Sequence, residues 1–292
     1  MKNQSKAYLL AMTAVLFWST IGTAFKVSLR YLDPLTLLCY SSIVACLVLA
    51  TGITLMRKWH QVRQTTWRDL AVSSFLGLLN PFLYYVVLLK AYDRLPAQEA
   101  GTLNYIWPLV LVLLSIPLLK QKISAMSIIA ILISFSGIIV ISTHGDLTGF
   151  NFSDPLGVSL AVGSAIFWAL YWILNLKDHR EAIIKLFMAF CFGTAYTVVA
   201  MIISGKMILP GIKGLSGAVY IGIFEMGLTF LIWLNALRLS VTTAKISNLI
   251  YLSPFISLII IHLVIGEIIL FSTVFGLMLI VTGIIVQQYL KS

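Results

Sequence analysis

Residues 97–119 read AQEAGTLNYIWPLVLVLLSIPLL, an apolar run that contains Asn104-Tyr105-Ile106-Trp107-Pro108. A run of about 20 apolar residues has the length of an α-helix that crosses a bilayer. The five residues place an amide, a phenol and an indole at membrane depth, and the proline removes one hydrogen bond from the helix. Such groups are tolerated where a helix faces a cavity instead of lipid. The segment therefore predicts a membrane span with one side on a cavity.

The composition is that of a protein with many membrane spans. Of the 292 residues, 60% are hydrophobic and 10% are charged, and the mean hydropathy is +1.00. Soluble domains are roughly half apolar and about a quarter charged. The formal net charge of +10 would indicate nucleic-acid binding in a soluble protein, but the Lys and Arg residues mostly lie between apolar runs. We therefore expect a lipid bilayer around this chain and no nucleic-acid partner.

Apolar runs long enough to cross a membrane recur along the chain. Ten spans can be drawn, at about 7–29, 35–56, 70–89, 97–119, 124–143, 156–175, 183–204, 217–237, 243–265 and 269–289. The sequence therefore predicts an all-α integral membrane protein of ten transmembrane helices, with both termini on the same side. The connections are too short to hold a soluble domain.

Basic residues between the spans predict the orientation. One side carries Lys2, Lys6, Arg57, Lys58, Arg63, Arg68, Lys120, Lys122, Lys177, Arg180, Lys185, Arg238, Lys245 and Lys291. The other side carries Lys26, Arg30, Lys90, Arg94, Lys206 and Lys213. Because cytoplasmic loops have an excess of Lys and Arg, both termini are predicted to be cytoplasmic. We expect a multi-pass protein of a bacterial inner membrane.

The chain contains an internal repeat of five spans. Landmarks recur in the same order at a nearly constant offset: Phe17-Trp18 and Phe167-Trp168, Gly77 and Gly222, Ala91 and Ala236, Pro108 and Pro254, and Gly137–Val140 and Gly283–Val286. We predict two units, residues 1–146 and 147–292. Because five is odd, the two units lie upside down to each other in the membrane. Inverted repeats are typical of secondary transporters, whose substrate site lies near the midplane between the repeats.

Glu225 lies near the middle of the predicted span 217–237, at the position that the repeat relates to Asn80. An ionisable residue at membrane depth is costly, so Glu225 is a candidate for substrate contact or proton coupling. Two other interpretations stay open: an ion pair with Lys26 or Lys245, and a protonated carboxyl that only packs. Lys26 lies near the end of its span, where a lysine that extends to the interface is the simpler interpretation.

Aromatic and amide side chains form a second group of candidate substrate-binding residues. They are Trp18, Asn80, Tyr84, Tyr85, Asn104, Tyr105, Trp107, Trp168, Trp172, Asn248 and Tyr251. Trp168 and Trp172 share one helical face because they are four positions apart. Packing between helices or against lipid would explain any one of these aromatic residues. Together they favour a cavity that stacks a flat or amphipathic ligand and hydrogen-bonds its polar end.

Motifs for enzymatic chemistry are missing from the sequence. The four histidines are scattered without metal-ligand spacing, and the sequence has no nucleotide-binding loop, dinucleotide fingerprint or nucleophile elbow. The three cysteines lie inside apolar runs and are interpreted as small buried side chains. We therefore expect no enzyme activity, no cofactor and no metal site.

Small residues on the fifth and tenth spans predict close helix packing. Ser134, Ser136 and Gly137 lie on one span and Gly283 on the other. Small side chains let two helix backbones approach each other in a membrane. A dimer contact at this face is an alternative, so the sequence leaves monomer and homodimer open.

Several of these features are shared with a known family. With Phe17-Trp18-Ser19-Thr20, its repeat Phe167-Trp168, the five-plus-five arrangement and the repeated Gly-Ile-Ile-Val, the chain resembles the ten-span EamA type of the drug/metabolite transporter superfamily over essentially its whole length. Within that superfamily, Leu103–Pro108 resembles the fourth span of the bacterial aromatic amino acid exporters. The resemblance implies a central cavity that opens to either side as the two halves rock. Its lining would include Tyr84, Tyr85, Tyr105, Trp107 and Trp168. Glu225 departs from a neutral aromatic cavity and leaves the preferred charge of the substrate open.

These observations predict a secondary transporter that exports amino acids, aromatic or otherwise amphipathic, or related small metabolites by alternating access. The partner would be a small-molecule substrate, and proton coupling is open. The same fold would also serve an importer of a nucleoside, a sugar or a cofactor precursor. A channel and a membrane-embedded enzyme are further alternatives, and the enzyme would need clustered acids or histidines, which the sequence lacks.

Overall fold

The computed structural model describes residues 3–119, 125–146, 154–175, 177–206, 208–240 and 248–289. Within these ranges, the side chains at positions 119, 125–127, 234, 238, 248 and 287–289 are left out of the description. Every regular element of the described residues is a helix, as expected for the predicted all-α class.

The α-helices follow one another with short connections. In chain order they are α1 (Gln4–Ser28), α2 (Pro34–Leu55), α3 (Trp59–Arg63), α4 (Trp67–Gly77), α5 (Tyr84–Arg94), α6 (Ala97–Asn104), α7 (Trp107–Leu119), α8 (Ala125–Ser142), α9 (Pro155–Asn175), α10 (Ala182–Ser204), α11 (Ile212–Ile221), α12 (Leu228–Leu239), α13 (Ser253–Ile265) and α14 (Phe271–Tyr289). Wider π-helical turns, Leu78–Leu83 and Gly222–Gly227, join α4 to α5 and α11 to α12. A short 3-10 turn, Asn248–Leu252, precedes α13.

Most of the predicted spans are long apolar helices. Seven segments have the length and apolar character to cross a membrane: Gln4–Ser28, Pro34–Leu55, Trp67–Arg94, Ala97–Leu118, Pro155–Asn175, Ala182–Ser204 and Ile212–Leu237. Three shorter apolar helices, Ile128–Ser142, Leu249–Ile265 and Phe271–Val286, lie where the remaining spans are predicted. The described chain is thus a helical multi-pass membrane protein, while the count of ten spans and the side of the termini stay predictions.

Local chemistry explains where several helices begin and end. Asp33 precedes α2, and its carboxylate accepts hydrogen bonds from two backbone N–H groups of the first turn. Pro34 takes the first helical position, where a backbone N–H would have no acceptor within the helix, so its absence costs no hydrogen bond. Gly205 and Gly266 end α10 and α13 with φ angles of 64° and 80°, a backbone conformation that favours glycine.

The two π-helical turns pack closely against neighbouring helices. A Cβ atom added to Gly222 would lie 2.5 Å from a backbone oxygen of α2. A Cβ atom added to Gly77, directly before Leu78–Leu83, would lie 2.3 Å from a backbone oxygen of α10. Only glycine permits such close contact between backbones. The Gly222–Gly227 turn is therefore fixed against α2, and this turn carries Glu225.

The helices α8 and α14 form a close pair. A Cβ atom at Gly137 would lie 2.5 Å from the carbonyl oxygen of Gly276, and one at Gly283 would lie 2.4 Å from a backbone oxygen of α8. The Ser134 hydroxyl donates a 3.0 Å hydrogen bond to a carbonyl oxygen of α14. The predicted close packing is confirmed for these residues, whereas Ser136 lies on the exposed side of α8.

Helices from the two halves of the chain interlock. The helix α2 packs on α10, α11 and the Gly222–Gly227 turn, and α9 packs on α5, α6 and α7. The helix α1 contacts α11, α12 and α13. Buried apolar side chains from most helices form one continuous core. Among α1, α5–α7, α9, α12 and α13, this packing leaves a cavity.

Candidate functional site

The cavity has a volume of about 630 Å³ and a mostly apolar wall. This volume lies within the range of pockets that hold small organic molecules. Nine of the twelve predicted substrate-binding residues line the cavity: Trp18, Tyr84, Asn104, Tyr105, Trp107, Trp168, Trp172, Glu225 and Tyr251. The sequence pattern therefore identified side chains that the fold brings together from six helical segments and their turns.

Trp168 is the centre of the aromatic wall. Its ring centroid lies 4.6 Å from that of Tyr84, 5.8 Å from Trp172, 6.2 Å from Phe230 and 6.4 Å from Trp107. These separations are typical of attractive tilted and edge-to-face aromatic pairs. The wall joins four helices, α5, α7, α9 and α12, and it offers flat apolar surface to a ring-containing ligand.

Glu225 adds a carboxyl group to this wall. Its side chain is buried, and Oε1 accepts a 2.9 Å hydrogen bond from the Tyr85 hydroxyl. Among the described residues, no hydrogen bond is formed to Oε2. Tyr85 itself does not line the cavity and is completely buried. Tyr85 therefore holds one carboxyl oxygen in place, and the other has no hydrogen bond among the described residues.

Lys26 does not pair with Glu225. Its ammonium donates hydrogen bonds of 2.8 Å to the carbonyl oxygen of Tyr92 and 2.7 Å to that of Leu95. These carbonyls lie at the end of α5, where the helix dipole favours a cation. The α5 terminus therefore holds the charge of Lys26, and its position near the membrane interface stays a prediction. The other proposed partner of Glu225, Lys245, lies outside the described residues.

Asn104 is already hydrogen-bonded through both atoms of its amide. Oδ1 accepts from the Tyr84 hydroxyl at 3.2 Å, and Nδ2 donates to Oγ of Ser164 at 2.8 Å. The chain of contacts links α5, α6 and α9 behind the aromatic wall. Asn104 therefore holds Tyr84 in position, and Tyr84 in turn lies against Trp168.

Three predicted site residues are not placed on the wall. Tyr85 lies behind Glu225, as described above. Asn80 is fully buried in the Leu78–Leu83 turn, with an extended backbone (φ −147°, ψ 120°), and packs towards α9 and α10. Its amide atoms form no hydrogen bond among the described residues. The side chain of Asn248 lies outside the description.

Other wall residues were not predicted from the sequence. Trp233 faces Trp18 with a centroid separation of 5.4 Å. The Tyr92 side chain also lines the cavity, and Cβ atoms added to Gly22 and Gly101 would lie 3.0 and 2.8 Å from its hydroxyl oxygen. The two glycines leave space for this hydroxyl. A glycine on each of two spans was therefore the feature of the sequence that could have indicated the position of the Tyr92 side chain.

A set of hydrogen bonds joins α6 to the loop between α13 and α14, at the end predicted to face outside. The Glu267 carboxylate accepts from the backbone N–H groups of Ala97 (2.9 Å) and Gln98 (3.2 Å). The Gln98 side chain donates to the carbonyl oxygen of Ile268 (2.8 Å) and accepts from the N–H of Leu270 (3.2 Å). An anion at a helix N-terminus is stabilised by the helix dipole. We call these five residues the outer clasp.

At the opposite end of the bundle, Arg180 joins the loop between α9 and α10 to α4. Its guanidinium donates to the Asp178 carboxylate at 2.6 and 3.0 Å and to the Ser73 hydroxyl at 2.8 Å. A second ion pair links Lys58, after α2, to Glu181, before α10. Both contacts lie at the end predicted to be cytoplasmic, so each end of the bundle has polar contacts between helices of different halves.

Comparison with known proteins gives the chain a family context. The sequence profile of the EamA-like transporter family matches residues 5–143 and again residues 155–287. The two matches together cover most of the chain, and each covers roughly half of it.

Relatives and a solved structure match over much of the chain. The chain is 23% identical over 290 residues to an uncharacterized transporter of Clostridium kluyveri, covering 97% of this chain and 93% of the relative. It is 27% identical over 241 residues to the aromatic amino acid exporter YddG of Ancylobacter novellus, covering 79% of each chain. One crystal structure matches with a TM-score of 0.67 at 21% identity over 99% of both chains. At this identity, the match to the crystal structure concerns the fold alone.

Proposed function

The chain belongs to the EamA-like transporter family, and from this membership we propose that it exports amino acids or related small amphipathic metabolites by alternating access. Family membership makes it a membrane transporter. The proposal adds the substrate class, the export direction and the mechanism of a secondary transporter. It places the protein in a bacterial inner membrane with both termini in the cytoplasm.

The observation that carries this proposal is the aromatic cavity with Glu225 in its wall. A volume of about 630 Å³ is enough for an amino acid with a ring. Trp168, Tyr84 and Trp107 present their rings to this space, and Glu225 supplies an acceptor for a substrate ammonium group. The rings would stack the substrate side chain while the carboxylate binds its polar end.

Two observations support an inverted-repeat architecture for this transporter, with units 1–146 and 147–292. The family profile matches the chain twice, at 5–143 and 155–287. The two π-helical turns, Leu78–Leu83 and Gly222–Gly227, occur at corresponding places in the two units, each packed on a helix of the other unit. Transporters built from inverted repeats bind substrate between the units and open to one side at a time.

The export direction is supported by one relative, which is named an aromatic amino acid exporter and aligns over 79% of this chain. Flux in the opposite direction would favour the alternative, an importer of a nucleoside, a sugar or a cofactor precursor. Both possibilities use the same cavity, so the direction has to be measured.

Proteoliposomes test the proposal. We expect purified protein to move radiolabelled phenylalanine, tyrosine or tryptophan with saturable kinetics, and unlabelled substrate on the opposite side to drive counterflow. Saturation and counterflow distinguish a transporter from a channel. No movement of any of the twenty amino acids by folded protein would overturn the amino acid proposal.

A pair of tryptophan variants locates the site within the same experiment. Trp107→Ala removes a wall residue and should raise the KM by about tenfold, the usual scale for loss of an aromatic anchor. Trp67→Ala is the matched control, because Trp67 is 73% exposed outside the cavity. Equal KM values for the two variants would exclude the aromatic cavity as the transport site.

Proton coupling through Glu225 is part of the same proposal. Glu225→Gln keeps the shape of the side chain and removes its titration. If the carboxyl carries a proton during transport, the variant should lose the dependence of flux on a pH gradient. Normal flux with an unchanged pH dependence in Glu225→Gln would exclude that role.

A further inference from the structure

The charge distribution in the cavity wall distinguishes between substrates of the proposed class. Among the described residues that line the cavity, Glu225 is the one acidic or basic side chain. The rest of the wall is aromatic, aliphatic or neutral and polar. The wall therefore presents one carboxyl group and no basic side chain in the part of the chain that the structure describes.

The ammonium group of Lys26 binds the backbone at the end of α5, next to the cavity-lining Tyr92. Lys26 donates to the carbonyl oxygens of Tyr92 and Leu95 at 2.8 and 2.7 Å and does not line the cavity. Moving its ammonium into the cavity would break both hydrogen bonds. The two carbonyl groups at the α5 terminus would then lose their hydrogen-bond donor. Lys26 is therefore not available to a substrate carboxylate.

Three of the neutral polar groups of the wall already have partners. Asn104 is hydrogen-bonded through Tyr84 and Ser164, and the Tyr105 hydroxyl donates to the carbonyl oxygen of Ile250. The Gln98 amide is part of the outer clasp. At these three groups a substrate carboxylate would have to displace an existing contact. The indole N–H of Trp172 forms no hydrogen bond among the described residues, but a carboxylate in the cavity would still be repelled by Glu225.

A substrate ammonium group, in contrast, would find a hydrogen-bond acceptor in the cavity wall. Oε2 of Glu225 has no hydrogen bond among the described residues, while Tyr85 fixes Oε1 at 2.9 Å. The electron-rich faces of Trp168 and Trp18 belong to the same wall and attract cations. A cation with an aromatic or aliphatic body would satisfy the carboxylate, the rings and the apolar wall together.

We infer that the cavity selects amphipathic monoamines, which carry an ammonium group and no carboxylate, over the corresponding amino acids. The inference rests on the proposed transport function and specifies the substrate class of the same site. The ammonium would bind Oε2 of Glu225, and the ring would lie against Trp168. The related zwitterion would bring a carboxylate to the same place without a described cation to receive it.

Three ligands that share a phenyl ring and differ in charge isolate the effect of charge on binding. At neutral pH, 2-phenylethylamine is a cation, phenylalanine a zwitterion and 3-phenylpropionate an anion. Five of the seven tryptophans line the cavity, namely Trp18, Trp107, Trp168, Trp172 and Trp233. Their fluorescence, excited at the red edge where phenyl groups do not absorb, reports binding to the purified full-length protein in detergent.

We expect 2-phenylethylamine to bind at least about tenfold more tightly than phenylalanine, since a charge-assisted hydrogen bond accounts for a difference of that size. We expect 3-phenylpropionate to bind most weakly. In Glu225→Gln the preference for the amine should fall to less than about threefold, because the neutral amide attracts the ammonium weakly. Asp154→Asn, which removes a carboxylate outside the cavity, should keep the wild-type order.

The outcomes separate this inference from the proposed function. Equal or tighter binding of phenylalanine by wild-type protein overturns the amine inference and leaves amino acid transport standing. A preference for the amine that persists in Glu225→Gln also overturns it, because Glu225 is then not its cause. Absence of binding by all three ligands overturns it as well, and the flux measurement in proteoliposomes decides separately whether the protein moves amino acids.

Discussion

The hydroxyl of Tyr105 donates a 2.5 Å hydrogen bond to the main-chain carbonyl oxygen of Ile250. Tyr105 lies at the break between α6 and α7, two residues before Trp107, and Ile250 lies in the turn before α13. Pro108 and Pro254 are the residues that the internal repeat relates to each other. The contact therefore joins two proline-containing breaks, one from each half, at the wall of the cavity.

Removal of this hydroxyl should weaken the junction between the two breaks. Tyr105→Phe leaves the ring in place and takes the donor from the Ile250 carbonyl, with an expected loss of about 1–2 kcal/mol of stability. The measurement is thermal unfolding of the purified protein in detergent. Tyr31→Phe is the control, because Tyr31 is 51% exposed in the loop after α1. An unchanged midpoint in Tyr105→Phe would show that the hydroxyl contributes no net stability.

The sequence was sufficient to predict the helical class, the family and most of the aromatic side chains of the cavity wall. Each of these follows from local information. Apolar runs of a given length form membrane helices, and polar or aromatic groups at depth avoid lipid. Trp107 and Trp168 could therefore be assigned to a cavity before their partners were known.

The position of Asn80 and the role of Lys26 could not be predicted in this way. Both depend on contacts between segments that are distant from each other in the sequence. The Leu78–Leu83 turn, which has an extended backbone at Asn80, packs on α9 and α10, although the repeat relates Asn80 to Glu225 on the cavity wall. The carbonyl oxygens that accept hydrogen bonds from Lys26 lie at the end of α5, 66 and 69 residues away in the sequence. Helical periodicity does not contain information on either contact.

Close packing between α8 and α14 should make Gly137 intolerant of a side chain. A Cβ atom there would lie 2.5 Å from the carbonyl oxygen of Gly276 and 2.9 Å from Cγ1 of Ile280. Gly137→Val therefore requires the two backbones to separate, and we expect a loss of about 2 kcal/mol or more. Thermal unfolding and the yield of monodisperse protein in detergent measure the effect.

Gly163 is the matched control for that substitution. It lies inside α9, and a Cβ atom at this position would meet no atom within 4 Å. Because glycine lowers the stability of a helix interior, Gly163→Ala should be neutral or raise stability by up to about 1 kcal/mol. Equal destabilisation by the two substitutions would contradict the α8–α14 contact as the cause of the loss in Gly137→Val.

The loop between α9 and α10 should make stability depend on pH. Burial disfavours the Asp178 carboxylate, but the hydrogen bonds and charge of Arg180 outweigh this and hold its pKa below the usual 3.8. A lowered pKa in the folded state contributes stability that is present above the usual value and is lost as the pH falls below it. The thermal midpoint should therefore fall as the pH is lowered from about 5 to about 3.

Substitution of Asp178 isolates this contribution. Asp178→Asn should be less stable than the wild type at neutral pH, and the difference should narrow as the pH approaches about 3. Asp93→Asn, at an exposed position on α5, should follow the wild-type curve. A constant difference between Asp178→Asn and the wild type at all pH values would contradict a titrating Asp178 carboxylate.

The outer clasp should control access to the cavity from the predicted outside. Ser257 lines the cavity, so Ser257→Cys, in a chain whose three native cysteines are replaced by alanine, provides a reporter. In intact cells, a membrane-impermeant maleimide should label it slowly while the clasp holds α6 against the loop after α13. Each of the variants Gln98→Ala and Glu267→Ala removes two of the four hydrogen bonds of the outer clasp. Each should raise the labelling rate of Ser257→Cys by about tenfold.

A carboxylate elsewhere on the same predicted side is the control for the clasp. Asp154 accepts from the N–H of Gly157 at 2.9 Å and pairs with Arg94, and it is not a residue of the outer clasp. Asp154→Asn should therefore leave the labelling rate of Ser257→Cys unchanged. Equal rates in the clasp variants and in this control would mean that α6 and the loop do not close the cavity. Labelling only in inverted vesicles would instead reverse the predicted orientation, since the clasp would then lie at the cytoplasmic end.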